Sequence, residues 1–217
     1  MAARPQIRGR RLYLITDASP QGGLARLIEA AVRGGVDMIQ LREKFLNDSE
    51  LYEVAASCAR LCRSLGVPFI VNDRADVALA AEADGVHLGQ DDLPVAAARA
   101  VLGAEKIVGL STHTEEQVGA AGADADYIGV GPIFETPTKP GRPAVGEALV
   151  RYAAVHAAQP FFAIGGIDPR NVGDVVRAGA HGVSVLRWVA QSADPERAAR
   201  MMINAMDAAD ASERATT

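Results

Sequence analysis

The chain of 217 residues has few of the residues that mark several protein classes: two cysteines, four histidines and 5% aromatic residues. Two cysteines are too few for a disulfide scaffold or a zinc site, and Cys58 and Cys62, one helical turn apart, are expected to be small core residues. No apolar run approaches the ~18 residues of a membrane helix, and no apolar stretch follows the basic opening MAARPQIRGRR to make a secretory signal. These absences predict a soluble, cytoplasmic protein with no membrane partner.

The charge balance excludes another class of protein. A formal net charge of −5 provides no global basic field for nucleic acid, so positive side chains are expected to act locally, in a pocket. With 49% hydrophobic and 23% charged residues, the composition is that of an ordinary globular domain. We expect one domain over residues 1–217, with a core of about 11–206 and a frayed C-terminal tail, ASERATT. The sequence leaves the oligomeric state open, a homo-oligomer included.

Short apolar runs alternate with longer stretches of helical spacing along the whole chain. The strand candidates are RLYLIT, MIQLRE, PFIVND, GVHLG, KIVGLS, YIGVGP, FFAIGG and GVSVLR. The helix candidates are GLARLIEAAVRGG, SELYEVAASCARLCRSLG, ADVALAAEA, PVAAARAVLG, EEQVGAAGA, EALVRYAAVHAA, PRNVGDVVRAGA and PERAARMMINAMDAADA. Eight strands and eight helices predict an α/β fold, a single (β/α)8 TIM barrel. A doubly wound open sheet is the rival, but neither GxGxxG nor GxxxxGK[ST] occurs.

Charged residues follow the second predicted strand, at the end of the barrel where such folds carry their chemistry. The strand ends in Gln40, Leu41, Arg42, Glu43 and Lys44, and a period of two places Gln40, Arg42 and Lys44 on one face. A cationic face in an acidic protein suits a ligand that carries several negative charges.

Two aspartates follow the next two predicted strands. Asn72 and Asp73 end the third strand, and Asp92 follows the fourth. Because adjacent strands lie about 4.8 Å apart, these carboxylates can converge on one ion, and two such oxygens with water and phosphate oxygens suit magnesium. The alternative is that both aspartates cap the helices that follow them. Beside the cationic strand, a metal-bridged diphosphate explains all of these charges together.

The segment after the sixth strand, PIFETPTKPGRP at 132–143, is longer than a connection requires. Its prolines stiffen it, while two threonines and a lysine make it polar, which predicts a lid over a bound substrate. His113, which follows Ser111 after the fifth strand, is expected to be a packed or hydrogen-bonding residue.

The seventh and eighth strands end in Gly165-Gly166 and in Leu186-Arg187. The loops after these two strands commonly form a barrel's phosphate site, and the paired glycines permit close approach of the backbone to an anion. The mouth therefore predicts two anionic ligands, a diphosphate near strands two to four and a monophosphate near strands seven and eight.

The motifs QLREK, NDRADVALA, DGVHLGQDD, GLSTH, GVGPIFETPTK and AIGGI occur in this order, and together they resemble the thiamine-phosphate synthase family of the TenI-like superfamily. The resemblance implies a transferase that joins 4-amino-2-methyl-5-(diphosphooxymethyl)pyrimidine to a thiazole phosphate, releasing diphosphate in a dissociative, Mg2+-assisted reaction. Its partners would be these small-molecule substrates.

Position by position, the resemblance implies a role for each matching residue. Around the pyrimidine diphosphate it places Gln40, Arg42, Lys44, Asn72, Ser111 and Lys139, of which Arg42, Lys44, Ser111 and Lys139 are the expected catalytic residues. It places Asp73 and Asp92 on magnesium, and Thr136, Thr138 and the backbone of Gly166 on the thiazole phosphate. Further substrate contacts are expected from Leu41, Glu43, Pro137, Gly165, Leu186 and Arg187. Many relatives have Val-Ser where this chain has Leu186-Arg187, followed by the bulky Trp188.

Two other functions remain as alternatives. A thiazole tautomerase of the same superfamily would use a histidine such as His113 to move a proton, and a non-catalytic phosphate-binding barrel would signal through a partner. Asp73, Asp92 and Lys139 favour the synthase, because an isomerase acting on a monophosphate has no diphosphate to neutralise.

Overall fold

The computed structural model describes residues 6–20, 22–122, 124–136 and 143–216. Eight parallel strands close into one barrel in chain order, and β8 pairs with β1 through Val183 and Leu12. The strands are β1 (Leu12–Thr16), β2 (Met38–Leu41), β3 (Phe69–Asn72), β4 (Gly85–Leu88), β5 (Ile107–Thr112), β6 (Tyr127–Val130), β7 (Phe161–Ile164) and β8 (Gly182–Val185). The predicted (β/α)8 barrel is confirmed, and closure through β8 and β1 excludes the doubly wound sheet.

Helices follow the strands and cover the outside of the barrel. Within the described ranges they are α1 (Leu24–Arg33), α2 (Asp48–Leu65), α3 (Ala75–Ala80), α4 (Val95–Leu102), α5 (Glu115–Ala120), α6 (Gly146–His156), α7 (Val172–Arg177), α8 (Arg187–Ala190) and α9 (Pro195–Thr216). None of the helices in these ranges combines the length and the apolarity that a bilayer crossing requires.

The alternation of side chains along the strands produces two hydrophobic layers. The larger layer lies between the strands and the helices, and it includes Leu41 and Val71. A smaller cluster fills the inside of the barrel and consists of Ile7, Tyr13, Met38, Ile70, Ile107, Tyr127 and Phe162. Because this inner cluster closes the barrel interior, the polar side chains further along the strands lie above it.

The second helix shows how local sequence sets the helix ends. A capping box starts α2, in which Asn47 accepts a hydrogen bond from the Glu50 N–H at 3.0 Å and Glu50 accepts one from the Asn47 N–H at 3.1 Å. The helix ends at Gly66, whose φ of 71° lies in the left-handed region that glycine adopts readily. Cys58 and Cys62 are buried core residues as predicted, and burial raises the pKa of the Cys58 thiol to about 12.

One element near the C-terminus differs from the sequence expectation. The short helix α8 follows β8 directly, so Arg187 begins a helix rather than ending a strand. The last helix, α9, ends at Thr216, and fraying of the tail stays a prediction. The tail contains neither glycine nor proline, the two residues least favourable to a helix.

Candidate active site

A cavity of about 780 Å3 opens at the carboxyl ends of the strands. Among the residues that line it are nine of the predicted substrate-binding residues: Gln40, Arg42, Asn72, Ser111, Thr136, Gly165, Gly166, Leu186 and Arg187. The fold thus brings together residues from the ends of six strands, as expected for a barrel whose chemistry lies at one mouth.

Two of the three residues predicted to share one face of β2 line the cavity. Gln40 is buried and Arg42 is half-buried, and both line the cavity. The Arg42 N–H donates a hydrogen bond to the Thr16 carbonyl at 2.7 Å, which extends the pairing with β1 one residue past the end of β2. Lys44 lies beyond this point and forms an ion pair with Asp73 at the rim.

Asp73 and Asp92 lie side by side, as the sequence predicted. Burial raises the pKa of the Asp92 carboxyl, and the neighbouring Asp73 carboxylate raises it further, while Lys44 lowers it. The Asp92 carboxylate also accepts a hydrogen bond from the Gly89 N–H at 2.6 Å. The rim cluster, defined as Lys44, Asp73 and Asp92, therefore joins two acidic groups and one cation from three successive loops.

Neither aspartate serves as a helix cap. The N-cap of α3 is Arg74 and that of α4 is Pro94, so the capping alternative for Asp73 and Asp92 is wrong. Asp73 instead has a positive φ of 63°, and its N–H donates to the His87 carbonyl at 2.8 Å. This backbone conformation is uncommon for a residue other than glycine, and it is held by the pairing with β4.

The donor set at the rim fits magnesium. No group of three or more histidine, cysteine, aspartate or glutamate side chains suited to a metal ion occurs among the described residues. Magnesium, however, is commonly held by only one or two carboxylates, with water and substrate phosphate oxygens completing its coordination. Asp73 and Asp92 supply two adjacent carboxylates, and like-charged groups this close favour a bound cation.

Among the described residues, three predicted contact residues do not line the cavity: Lys44, which belongs to the rim cluster, and Leu41 and Glu43. Leu41 is buried in the layer between strands and helices. The Glu43 carboxylate accepts hydrogen bonds from the N–H groups of Ala18, Lys44 and Phe45 at 3.1, 2.7 and 2.8 Å. Although partial burial raises the pKa of Glu43, these backbone donors lower it overall. The hydrogen bonds of Glu43 shape the loop that carries Lys44. Pro137, Thr138 and Lys139 lie outside the described residues.

The floor of the cavity contains a hydrogen-bonded chain that sequence reasoning did not find. The Gln40 amide donates to the Tyr13 hydroxyl at 2.5 Å, and the Tyr13 and Tyr127 hydroxyls are 2.9 Å apart. The Tyr127 hydroxyl lies 3.0 Å from His87 Nδ1, and His87 Nε2 lies 2.9 Å from Ser111 Oγ. The signal was present in the sequence, because a period of two along β1, β4 and β6 places all three ring side chains inside the barrel.

His113 has the hydrogen-bonding role that the sequence predicted for it. Its Nδ1 donates to the Gly131 carbonyl at 2.5 Å, and its backbone N–H donates to the Gln117 side chain at 2.7 Å. The ring also lines the cavity. These bonds hold the imidazole against the end of β6 and place its proton on Nδ1.

The far side of the cavity is formed by the loops after β7 and β8. Gly165 and Gly166 have φ angles of 106° and 64°, and the Asn171 side chain donates to the Gly166 carbonyl at 2.9 Å. Arg187 is exposed at the first position of α8. The Trp188 indole N–H donates to the Ala198 carbonyl at 3.0 Å, so this side chain connects α8 to α9.

Several known proteins are similar to this chain in sequence. The family described as "Thiamine monophosphate synthase" matches residues 12–189. The chain is 50% identical over 193 residues to the thiamine-phosphate synthase of Acidothermus cellulolyticus, which covers 87% of this chain and 91% of that protein. It is 46% identical over 202 residues to the thiamine-phosphate synthase of Nostoc sp., across 93% of this chain.

The lengths of these relatives differ. The chain spans 57% of the Nostoc protein and 56% of the relatives from Thermosynechococcus vestitus, Nostoc punctiforme and Synechocystis sp.. Among solved structures, thiamine phosphate pyrophosphorylase from Pyrococcus furiosus superposes with a TM-score of 0.84 and 31% identity, covering 93% of this chain and 97% of that one.

Proposed function

The chain belongs to the thiamine monophosphate synthase family, and on that premise we propose that it is the transferase that forms thiamine phosphate. In this reaction the pyrimidine methylene of 4-amino-2-methyl-5-(diphosphooxymethyl)pyrimidine bonds to the ring nitrogen of 4-methyl-5-(2-phosphooxyethyl)thiazole. The bond from that methylene to the diphosphate oxygen breaks, and diphosphate leaves with the bonding electron pair.

The observation that carries this proposal is the rim cluster beside the cavity. Lys44, Asp73 and Asp92 meet at the mouth, and Arg42 lines the cavity wall. A monophosphate would need one cationic contact, whereas cations together with two carboxylates suit a ligand that carries both a diphosphate and its counter-ion. This charge pattern favours a reaction in which diphosphate departs.

The residues of the cavity suggest two binding regions. We place the pyrimidine diphosphate against the ends of β2 to β5, where Gln40, Arg42, Asn72 and Ser111 line the wall. The thiazole phosphate would lie on the opposite side, where the backbone of Gly166 is supported by the bond from Asn171. Binding both substrates in one cavity aligns the thiazole nitrogen with the methylene carbon that it attacks.

Chemistry at this site needs no nucleophile from the protein, because the thiazole nitrogen is itself nucleophilic. The chain's own residues stabilise the charge that grows on the departing diphosphate: Arg42 and Lys44 from the β2 loop, Ser111 by its hydroxyl, and Lys139 from the 132–143 segment. Asp73 and Asp92 would hold Mg2+, which adds positive charge to the diphosphate oxygens when bound. The amino group of the pyrimidine stabilises the positive charge left on the methylene.

The direct test combines the purified chain with both substrates and magnesium and measures diphosphate and thiamine phosphate together. We expect the two products in equal amounts and a loss of both on addition of a chelator. Isomerisation of a thiazole substrate without diphosphate release would instead identify the tautomerase. Binding of both phosphorylated compounds without turnover would identify the non-catalytic barrel.

A matched pair of variants tests the site within the same assay. Lys44→Ala removes the cation of the rim cluster, and we expect turnover to fall about 100-fold, as for loss of one charge-stabilising donor. Arg60→Ala removes an exposed cation on α2, away from the cavity, and is expected to retain the activity of the unmodified chain. Equal activity of the two variants would remove Lys44 from the proposed machinery.

A further inference from the structure

The hydrogen-bonded chain on the cavity floor ends at a residue of the proposed active site. It runs from Gln40 through Tyr13, Tyr127 and His87 to Ser111, and Gln40 and Ser111 also line the cavity. We infer that Tyr13, Tyr127 and His87 are positioning residues that order the protons of this chain, so that the Ser111 hydroxyl donates its hydrogen into the cavity.

The order of the protons is set at the buried end of the hydrogen-bonded chain, where Gln40 meets Tyr13. The Gln40 amide N–H donates to the Tyr13 oxygen, so the Tyr13 proton needs an acceptor elsewhere. Among the described residues, the only other hydrogen-bond partner of the Tyr13 hydroxyl is Tyr127, at 2.9 Å. Burial raises the pKa of Tyr13 and of Tyr127, so both hydroxyls keep their protons at neutral pH. Tyr13 therefore donates and Tyr127 accepts.

The proton order continues from Tyr127 to the cavity. Because Tyr127 accepts from Tyr13, its own proton is directed to His87 Nδ1 at 3.0 Å. A neutral imidazole that accepts at Nδ1 carries its proton on Nε2, which then donates to Ser111 Oγ at 2.9 Å. The Ser111 oxygen is an acceptor in this bond, so its hydrogen turns towards the cavity. Gln90 donates to the Ser111 carbonyl at 2.6 Å and holds the backbone in place.

Packing against neighbouring rings fixes the positions of Tyr13, Tyr127 and His87. Tyr127 lies edge-on to Phe162 with ring centroids 5.6 Å apart, and edge-on to Tyr13 at 5.9 Å. His87 stacks on Tyr127 at 5.4 Å. A Tyr127→Phe substitution keeps these ring contacts and removes only the hydroxyl that links Tyr13 to His87.

The proton order determines which kind of ligand atom the Ser111 hydroxyl can bind. A serine held as a donor recognises an acceptor atom, such as a phosphoryl oxygen or an unprotonated ring nitrogen, and disfavours a ligand group that is itself a donor. Under the proposed function, that acceptor belongs to the pyrimidine diphosphate. The part of the inference that concerns turnover rests on the proposed function, whereas the proton order in the ligand-free protein does not.

The proton order can be read from the histidine tautomer. The chain has four histidines, so nitrogen NMR of histidine-labelled protein, assigned with His87→Gln, resolves His87. We expect the tautomer protonated on Nε2 in the unmodified chain and in Tyr52→Phe, a control on the half-exposed outer face of α2. In Tyr127→Phe we expect a mixture of tautomers. A His87 protonated on Nδ1 in the unmodified chain, or an unchanged tautomer in Tyr127→Phe, would overturn the inference.

A double-mutant cycle on turnover separates positioning from general structural damage. We expect Tyr127→Phe and Ser111→Ala each to lower kcat/KM for the pyrimidine diphosphate by about tenfold or more, and the double variant to be no slower than Ser111→Ala alone. If the two decreases in kcat/KM multiply in the double variant, Tyr127 does not act through Ser111. If the unmodified chain has no synthase activity, the proposed function fails, while the NMR result still decides the proton order.

Discussion

Gly109 on β5 lies directly against the ring of Tyr127 on β6, and the two residues are register partners inside the barrel. A methyl group at position 109 would overlap the ring carbons and the hydroxyl of Tyr127. Because Gly109 has no side chain, the ring of Tyr127 fits against it on the neighbouring strand. The cavity floor, with its hydrogen-bonded chain, depends on this space.

Gly109→Ala is expected to lower the free energy of unfolding by about 1–3 kcal/mol, because the added methyl group overpacks the barrel interior. The matched control is Gly119→Ala on α5, where an added Cβ meets no atom within 4 Å. That change is expected to be neutral or to stabilise by up to about 1 kcal/mol, since alanine favours a helix. Urea unfolding of both variants measures the difference, and equal stability of the two would contradict the packing argument.

Asp73→Asn is expected to weaken the apparent magnesium affinity of the synthase reaction by about tenfold or more, because one of two carboxylates loses its charge. Turnover measured against magnesium concentration provides the readout. Asp91→Asn is the control, since Asp91 is exposed and adjacent to Asp92 in sequence. A titration with the same midpoint in Asp73→Asn and in the unmodified chain would remove Asp73 from the proposed metal site.

Lys139→Ala is expected to lower turnover at least about 100-fold, because the substitution removes a cation that we propose to act on the departing diphosphate. Lys139 lies outside the described residues, so this prediction comes from the sequence and the family resemblance alone. The thermal unfolding midpoint is expected to stay within a few degrees of the unmodified value. Near-normal steady-state rates would count against a role for this lysine.

Arg187→Ser is expected to raise KM for the thiazole phosphate by about tenfold while leaving KM for the pyrimidine diphosphate unchanged. Arg187 lines the cavity from α8, on the side where we place the monophosphate. Arg26→Ser, on the exposed face of α1, serves as the control. An equal rise for both substrates, or no change for either, would mean that Arg187 does not distinguish the second substrate.

Several features of the site followed from local sequence. The alternation of apolar runs and helical stretches predicted the barrel, and the position of a polar residue relative to a strand end predicted the cavity. Gln40, Arg42, Asn72 and Ser111 were found in this way. Strand geometry repeats every two residues and parallel strands end at one edge, so both inferences needed only the order of residues.

What the sequence determined by itself is therefore the closed barrel, the mouth that carries the polar residues and the family. Tertiary structure decided which of those residues touch. Tyr13 and Tyr127 are 114 positions apart in the chain, and their hydroxyls meet only because the barrel closes. The pairing of Lys44 with Asp73 likewise depends on how two loops turn after their strands. Such contacts depend on the three-dimensional path of the backbone, which no periodicity within a single segment specifies.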